Sequence, residues 1–257
     1  MSERESYPHG VPHWVTCLAA DVDAAADFYR RVFGWSFEYG SGYALARLRG
    51  REVAGIGPAA AAGEDVIPAW ISEVRVDDVD EAARRAAKAG GRVLSGPMDL
   101  SPASKLVVLA DPAGAVLCAT QPVGRQGAEL VNEPSAWSMS SLSVPDLAAV
   151  ERFYGEVFGW QRESFGSSSL WRLPGYVGGE PSQPVPRDVV AVGVEAPGPA
   201  RWDVDFWIAD ADAAAAEAVA AGGTVLAPPS AVPGLPFRSA TLADPGGAAF
   251  SVSQLLH

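Results

Sequence analysis

The nine residues Asp27–Trp35, "DFYRRVFGW", return almost unchanged as Arg152–Trp160, "RFYGEVFGW". Two longer stretches recur in the same order: "VDDVDEAARRAAKAGGRVLSGP" from Val76 as "IADADAAAAEAVAAGGTVLAPP" from Ile208, and "LADPAGAVLCATQ" from Leu109 as "LADPGGAAFSVSQ" from Leu242. The three pairs are offset by 125, 132 and 133 residues. Matches in one order at a nearly constant offset indicate a duplicated domain with small insertions between the matched blocks.

Each copy is itself built from two similar units. The stretches that begin at Trp14 and Trp70 both run from a short strand through an Asp-x-Asp turn into an alanine-rich helix. Asp21 or Asp23 suits the start of the first helix, and Gly34 suits the left-handed position that ends it. Apolar residues at helical spacing form one stripe between them: Val22, Ala25, Ala26, Tyr29 and Val32 or Phe33. The later "DPAG" and "DPGG" tetrapeptides predict hairpins, so each unit is a strand, a helix and three strands.

The length of the chain also favours two domains, since 257 residues exceed the usual domain size of roughly 100 to 150 residues. We expect a first two-unit domain in residues 1–124 and a second in residues 136–257. Residues 125–135 lie between the copies and are predicted to form the linker.

Composition and charge exclude several classes of function. The formal net charge of −12 argues against nucleic-acid binding, and it favours a cationic ligand or simply solubility. No apolar run approaches the roughly 18 residues of a membrane span, and the start "MSERESYPHGVP" lacks the apolar stretch of a secretion signal. We therefore expect a cytoplasmic protein that binds neither nucleic acid nor membrane. Cys17 and Cys118 lie in apolar runs and are expected to be buried free thiols.

The four units, the "FY…FGW" helix ends and the late "DPxG" hairpins together resemble the vicinal oxygen chelate superfamily. That superfamily includes glyoxalase I, ring-cleaving dioxygenases, fosfomycin-modifying enzymes and bleomycin-resistance proteins. The resemblance implies an α+β fold in which four βαβββ units form two incomplete mixed-sheet barrels, each around a cleft. It also implies a monomer that acts as a pseudo-dimer, because one chain supplies both pairs of units. Proteins with this fold have many different functions, so the function must be inferred from the residues of the site.

Enzymes of this superfamily usually hold a divalent metal with His, Gln or Glu from the first and last strands of the units. The corresponding positions of this chain hold Trp14, Ile71, Cys118, Met139, Asp203 and Ser251. Only Asp203 suits a hard or borderline cation, whereas catalytic zinc or iron normally needs three protein ligands. His13 lies one residue outside the register, and strand alternation turns its side chain to the opposite face. A register shifted by one residue would make His13 a metal ligand; otherwise we expect a partly exposed histidine at the start of a strand. His257 is expected to be a frayed terminus, and we expect no metal and no cofactor.

Period-two alternation along the strands predicts which side chains face the clefts. The catalytic candidates are Glu73 as a general base with a raised pKa, Tyr43 as an acid or hydrogen-bond donor, and Asp203 as a base in the second copy. The expected ligand-binding residues are Trp14, Thr16, Ile71, Arg75, Cys118, Met139, Asp205, Trp207 and Ser251. Two simpler interpretations stay open: Glu73 and Arg75 form an ion pair, and the tryptophans only pack at the rim. Because the second copy has two adjacent aspartates, we expect the clefts to differ.

Aromatic walls with a few charges are the usual composition of a small-molecule pocket. The first hypothesis is metal-free binding of a small aromatic or cationic molecule, similar to the sequestration that bleomycin-resistance proteins perform. The alternative is a metal-independent lyase, isomerase or hydrolase that acts on a small carbonyl compound or natural product. Metal-dependent glyoxalase or dioxygenase chemistry ranks last, because the expected ligands are missing. The sequence favours the first hypothesis and leaves enzymatic activity open.

Overall fold

The computed structural model describes residues 3–63, 66–165, 168–178, 186–232 and 235–256. The α-helices in these residues are α1 (Val22–Phe33), α2 (Val79–Lys88), α3 (Leu147–Phe158) and α4 (Ala211–Ala220). The strands of the first copy are β1 (Pro12–Ala19), β2 (Ser36–Gly40), β3 (Tyr43–Leu48), β4 (Arg51–Pro58), β5 (Ala69–Arg75), β6 (Arg92–Leu100), β7 (Ser104–Ala110) and β8 (Val116–Pro122). Those of the second copy are β9 (Trp137–Val144), β10 (Gln161–Phe165), β11 (Ser168–Arg172), β12 (Val189–Glu195), β13 (Arg201–Trp207), β14 (Thr224–Ala231), β15 (Phe237–Ala243) and β16 (Ala249–Leu255). A 3₁₀ turn, Ala59–Ala61, follows β4.

Each copy forms one eight-stranded mixed sheet. The strand order is β2-β3-β4-β1-β5-β8-β7-β6 in the first sheet, and β10-β11-β12-β9-β13-β16-β15-β14 in the second. The first strands of two units lie antiparallel at the centre of each sheet, and the last strand of each unit runs parallel beside them. Both sheets stay open at their edge strands. The predicted α+β class with four βαβββ units is therefore confirmed, and the units pair within each copy.

The helix boundaries follow the local sequence signals. The Asp21 carboxylate accepts hydrogen bonds from the backbone N–H groups of Asp23 and Ala24, both at 3.0 Å, and so caps the start of α1. Gly34 ends α1 with a φ of 73°, and Gly159 ends α3 in the same way with a φ of 78°. The predicted apolar stripe of α1 is buried except for Val22, which is half-buried. Because identical signals stand in both copies, both helices end in the same manner.

The two hydrophobic cores are each shared between the copies. The first core combines Phe28 and Tyr29 of α1 with Phe206 of β13 and Phe250 of β16. The second core combines apolar residues of α2 with those of α3. Helix α1 therefore packs beside α4, and α2 beside α3, which ties the two copies into one body.

Two buried tyrosine–aspartate hydrogen bonds join the repeated motifs across the copies. Tyr29 donates to the carboxylate of Asp244 at 3.2 Å, and Tyr154 donates to that of Asp111 at 2.8 Å. We call these two bonds the Tyr–Asp clasps. Each tyrosine also accepts a hydrogen bond from a buried tryptophan, Trp70 or Trp202. The "FY" phrase of one copy thus meets the "DPxG" turn of the other copy.

The "AGG" helix ends also make contacts between the two copies. A Cβ on Gly91 would lie 2.4 Å from the ring of Phe153, and one on Gly223 would lie 2.6 Å from the ring of Phe28. Both would also meet a backbone carbonyl oxygen, at 2.7 Å and 2.5 Å respectively. Glycine is therefore required where each repeated helix end approaches the phenylalanine of the other copy. The repeats that reveal the duplication are the motifs that hold its two halves together.

The stretch between the copies packs on the first sheet. The backbone N–H of Ala128 donates to the carbonyl of His13 at 2.8 Å, and the indole of Trp35 donates to the carbonyl of Ser135 at 2.7 Å. In the described residues, no helix is both long and apolar enough to span a membrane.

Candidate functional site

One buried carboxyl group stands on β5 in the middle of the first sheet, on the face that the resemblance assigns to the cleft and that we call the concave face. Glu73 of β5 is 8% exposed, and it pairs across the sheet with Trp14 of β1 and Cys118 of β8. Its carboxylate accepts hydrogen bonds from Thr16 at 2.7 Å and from Thr120 at 2.9 Å. Burial raises the pKa of Glu73, and the two threonine hydroxyls oppose that rise in part. The predicted cleft register thus holds Glu73, Thr16 and Trp14 together.

Arg75 lies apart from this carboxyl group. Its guanidinium pairs with Asp77, beyond the end of β5. The ion pair between Glu73 and Arg75, which the sequence left open, is therefore wrong. We also expected Arg75 to line the same pocket as Glu73, but no contact of Arg75 with the described residues around Glu73 supports this. The sequence missed Thr120, although it stands two residues after Cys118 and so shares its strand face.

Tyr43 extends the hydrogen-bond chain toward Glu73. Its phenol oxygen lies 3.2 Å from the indole nitrogen of Trp14 and 3.3 Å from the hydroxyl of Thr16. An indole N–H only donates, and Thr16 donates to Glu73, so the phenol donates to Thr16. Burial and the charge of Glu73 raise the pKa of Tyr43. Tyr43 therefore donates to Thr16, and its expected role as an acid or hydrogen-bond donor toward a ligand stays a prediction.

The position of Tyr43 depends on two glycines of β4. A Cβ on Gly55 would lie 1.5 Å from the phenol oxygen of Tyr43, and one on Gly57 would lie 3.3 Å from its ring. The ring therefore lies flat on bare backbone, which only glycine provides.

Arg125 covers the aromatic residues of the cluster. Its guanidinium carbon lies 4.7 Å from the ring centre of Trp14 and 5.8 Å from that of Tyr43. Trp14 is 2% exposed as a result of its packing, so the open stacking surface that we expected there is covered. No sequence pattern singles out Arg125, because it stands in the predicted linker.

Half-buried apolar side chains surround the carboxyl group on the same concave face. They come from β1, β3, β5 and β7 and comprise Leu18, Leu45, Ile71, Leu106 and Val108. Ile71 lies opposite Thr16 in the register, as expected. Cys118 is buried, and burial raises the pKa of its thiol, which keeps it neutral and unreactive. The first cleft is apolar around one carboxyl group.

The second sheet places Asp205 at the position that Glu73 occupies in the first. Asp205 lies opposite Met139 of β9 and beside Ser251 of β16. Its carboxylate accepts hydrogen bonds from Ser138 and Ser253, both at 2.7 Å. The expected difference between the clefts is therefore partly wrong: both keep one central carboxyl group held by hydroxyls. The offset of 132 residues between Glu73 and Asp205 was the signal for this equivalence.

Among the residues that the structure describes, the other candidates of the second copy, Asp203 and Trp207, have no hydrogen bond to the carboxylate of Asp205. Asp203 lies 3.0 Å from both Arg201 and the hydroxyl of Ser143. Its ion pair with Arg201 turns one of its carboxylate oxygens toward a neighbouring side chain. Trp207 is half-buried at the end of β13, where its backbone bonds to Ser135 and Ala136. Around them the second cleft is lined by hydroxyls, namely Ser141, Ser239, Thr241, Ser251 and Ser253.

Asp205 gives the stability of the protein a pH dependence. Burial raises its pKa from 3.8 to about 6, so between these values the folded state binds more protons than the unfolded state. The free energy of unfolding therefore falls as the pH rises from about 4 to 6. We expect Asp205→Asn to make this fall shallower, leaving the part due to the other buried carboxyl groups, and to stabilise the protein at pH 7 by about 1–3 kcal/mol, measured by urea unfolding. The charge-matched surface variant Glu156→Gln should keep the fall, and an unchanged slope in Asp205→Asn would contradict the assignment.

The donor set does not fit the metal that the fold family implies. The described residues contain no group of three or more His, Cys, Asp or Glu side chains arranged to hold an ion. Both oxygens of Glu73 accept threonine hydroxyls, and its neighbour Cys118 is a neutral thiol. His9 lies beside Asp77, outside the cleft. His257 lies outside the described residues. We therefore derive no chemical step through a metal.

His13 differs from its expected environment. It is 3% exposed rather than partly exposed, because the 124–127 segment packs over it at a bulge of β1. Its Nδ1 lies 3.2 Å from the carbonyl oxygen of Gln126 and so carries the proton. Burial lowers the pKa of His13 to about 4, which keeps the ring neutral.

Comparisons with known proteins agree with this architecture. The model of the glyoxalase-like domain matches residues 14–120 and 139–253. The chain is 36% identical to the Mycobacterium tuberculosis protein called "Putative glyoxylase CFP32", over 98% of this chain and 97% of that one. It is 31% identical to the anthracycline biosynthesis protein DnrV of Streptomyces peucetius, over 96% of this chain and 94% of that one.

Solved structures share the fold at low sequence identity. The Mn(II)-bound glyoxalase of Novosphingobium aromaticivorans superimposes with a TM-score of 0.67 and 17% identity, over 97% of this chain and 83% of that one. The 2,3-dioxygenase LapB of Pseudomonas sp. KL28 gives a TM-score of 0.64 at 13% identity, over 97% of this chain and 94% of that one. The expected membership of the vicinal oxygen chelate superfamily is confirmed: the chain belongs to its glyoxalase-like family, with one matched domain in each copy.

Proposed function

We propose that the protein binds a small aromatic molecule, without a metal, on the concave face of the first sheet. The observation that carries this proposal is the half-buried apolar surface around Glu73, where a carboxyl group replaces the metal-ligand set. Such a surface buries a flat apolar ligand, while one polar group fixes its orientation. Glu73 and the hydroxyl of Thr16 supply that polar group.

The first cleft suits an aromatic ligand better than the second. Hydroxyls and Asp203 stand in the second cleft where the first has apolar side chains such as Ile71. Of the two ligand classes expected from the sequence, the aromatic one is favoured over the cationic one. Arg125 already covers the faces of Trp14 and Tyr43 that a cation would use.

The names of the relatives support the same class of ligand. DnrV of Streptomyces peucetius and DauV of Streptomyces sp. strain C5 are both named as anthracycline biosynthesis proteins. Anthracyclines are polycyclic aromatic molecules. We therefore propose an aromatic natural product or metabolite of comparable flatness as the ligand, with sequestration as the outcome of binding.

A titration of chelator-treated protein with neutral aromatic compounds tests this proposal. Quenching of tryptophan fluorescence should give dissociation constants of roughly 1–100 µM. Tyr43→Ala should weaken binding about tenfold or more, because it removes the phenol that holds Thr16 and the ring against which Arg125 packs. Ser168→Ala changes the equivalent position of the second copy and should leave binding unchanged. Equal weakening by both variants would place the ligand elsewhere.

A second function, metal-independent acid–base catalysis, is favoured by the raised pKa of Glu73. A carboxylate whose pKa is raised is a stronger base than an ordinary carboxylate, so it is better suited to remove a proton from a bound substrate and return it. In this function Glu73 is the base, and the hydrogen-bond chain from Tyr43 through Thr16 holds its carboxylate in position. The name "Putative glyoxylase CFP32" of one relative supports a carbonyl substrate.

Thr16→Val tests the control of Glu73 by its hydrogen bonds. The Thr16 hydroxyl lowers the pKa of Glu73, so its loss should raise that pKa further. Infrared titration of the carboxyl band, with Glu73→Gln to identify it, measures the shift without requiring a substrate. A fall in the pKa would contradict the hydrogen-bond assignment. Product formation from a tight-binding compound would establish catalysis over sequestration.

A further inference from the structure

A ligand-sized cavity adjoins the Glu73 cluster at Arg125. Its volume is about 590 Å³, within the usual range for small-molecule sites. Its walls come from residues 4, 5 and 7, the start of β4, the turn between β6 and β7, and residues 124–127 and 129. None of the site residues expected from the sequence lines it. Arg125 is the residue that lines this cavity and also contacts the aromatic pair of the Glu73 cluster.

The backbone that carries Arg125 is held on both sides. A Cβ on Gly124 would lie 2.6 Å from the carbonyl oxygen of Pro102. Gly127 has a φ of 133°, and a Cβ there would lie 2.7 Å from the carbonyl oxygen of His13. Both contacts exclude any larger residue. The guanidinium therefore stands at a defined point between the cavity and the cluster.

The surroundings of Arg125 leave part of its hydrogen-bonding capacity for a ligand. Its face lies against Trp14 and Tyr43, and its Nε lies 3.2 Å from the carboxylate of Glu52. Glu52 also pairs with Arg47 at 3.0 Å, so it neutralises Arg125 only in part. Within the described ranges, the terminal nitrogens of Arg125 have no protein acceptor. A planar guanidinium with two open terminal nitrogens matches a carboxylate in a bidentate geometry.

We infer that Arg125 selects aromatic ligands that carry a carboxylate, which the cavity places against its terminal nitrogens. This inference rests on the proposed function and names the ligand class for the same cleft. The aromatic part of the ligand lies on the concave face beside Tyr43, and its acidic group lies in the cavity. The cavity is lined by Arg4, Arg51 and Arg125 and by Glu5, Glu52 and Glu129, so the preference for a carboxylate comes from direct contact with the guanidinium of Arg125 rather than from net charge.

Calorimetric titration with two matched probes, naphthoate and neutral naphthylmethanol, tests the inference. The wild-type protein should bind naphthoate about tenfold or more tightly than the alcohol. Arg125→Gln should abolish that preference while it changes the affinity for the alcohol by less than about threefold. Arg125→Lys, which keeps the charge but loses the planar fork, should retain only part of the preference.

Arg31→Gln is the control, since it removes the same charge at an ion pair with Glu217 outside the cleft. It should keep the wild-type preference, and circular dichroism should show that all variants are folded. Equal affinity of the wild-type protein for both probes would overturn the selection by Arg125 and leave the proposed function intact. A preference for naphthoate that persists in Arg125→Gln would also overturn the selection by Arg125 and leave the proposed function intact. If neither probe nor any neutral aromatic compound binds, the proposed function itself fails.

Discussion

Asp111→Ala is expected to lower the free energy of unfolding by about 3–5 kcal/mol. One oxygen of Asp111 accepts hydrogen bonds from the backbone N–H groups of residues 113, 114 and 115, at 2.8–2.9 Å. The other oxygen accepts the Tyr154 hydroxyl in a Tyr–Asp clasp at 2.8 Å. Alanine leaves these donors unsatisfied, at a turn and at the junction of the two copies. Urea or guanidinium unfolding followed by far-UV circular dichroism measures the loss.

Two further variants make this measurement specific. Asp111→Asn keeps an acceptor for the turn and a polar group for Tyr154, so it should cost only about 1–2 kcal/mol. Glu156→Ala lies on the exposed side of α3 and should change stability by less than about 0.5 kcal/mol. A loss below about 1 kcal/mol in Asp111→Ala would contradict the role that we assign to the clasp.

Ile71→Asp is expected to weaken the binding of a neutral aromatic ligand by roughly 100-fold. Ile71 stands on the concave face of the first sheet, opposite Thr16 and two residues before Glu73. A carboxylate there must lose its hydration when the ligand covers the cleft, and it lies near a second carboxyl group. The variant copies the residue that the second sheet already has at the equivalent position, Asp203.

The exchange in the opposite direction provides the matched control. Asp203→Ile makes the second cleft more apolar without touching the first, and the aromatic affinity of the first cleft should stay the same. Isothermal titration calorimetry gives both the affinity and the stoichiometry. If Ile71→Asp binds as tightly as the wild-type protein, the ligand does not lie on this face of β5.

Local signals predicted the elements, whereas the pairing of the copies needed the structure. Asp21 and Gly34 stand where capping chemistry predicts the ends of α1, and alternation along β5 correctly buries Trp70 and Val74. That Tyr29 reaches Asp244 rather than Asp111 has no local signal, because both turns have the same sequence pattern. Only the three-dimensional packing shows that this hydrogen bond joins the two copies and is not formed within one copy.

In the candidate site, too, some residues could be predicted from the sequence and others could not. Strand alternation placed Thr16 and Glu73 on one face, and the structure brings them within hydrogen-bond distance. Arg125 could not be predicted, since residues of an irregular segment follow no periodicity that relates them to a strand face. Arg75 was misplaced because its side chain turns toward Asp77 at the end of β5, where alternation no longer determines its direction.

Calorimetric titration of an aromatic ligand into chelator-treated protein, with and without added Mn²⁺ or Zn²⁺, tests the central claim most directly. We propose that the carboxyl group of Glu73 and the apolar face around it bind the ligand without an ion. The dissociation constant should therefore be the same, within about twofold, in all three titrations. Binding that appears only after metal is added, at one equivalent per occupied cleft, would contradict the account.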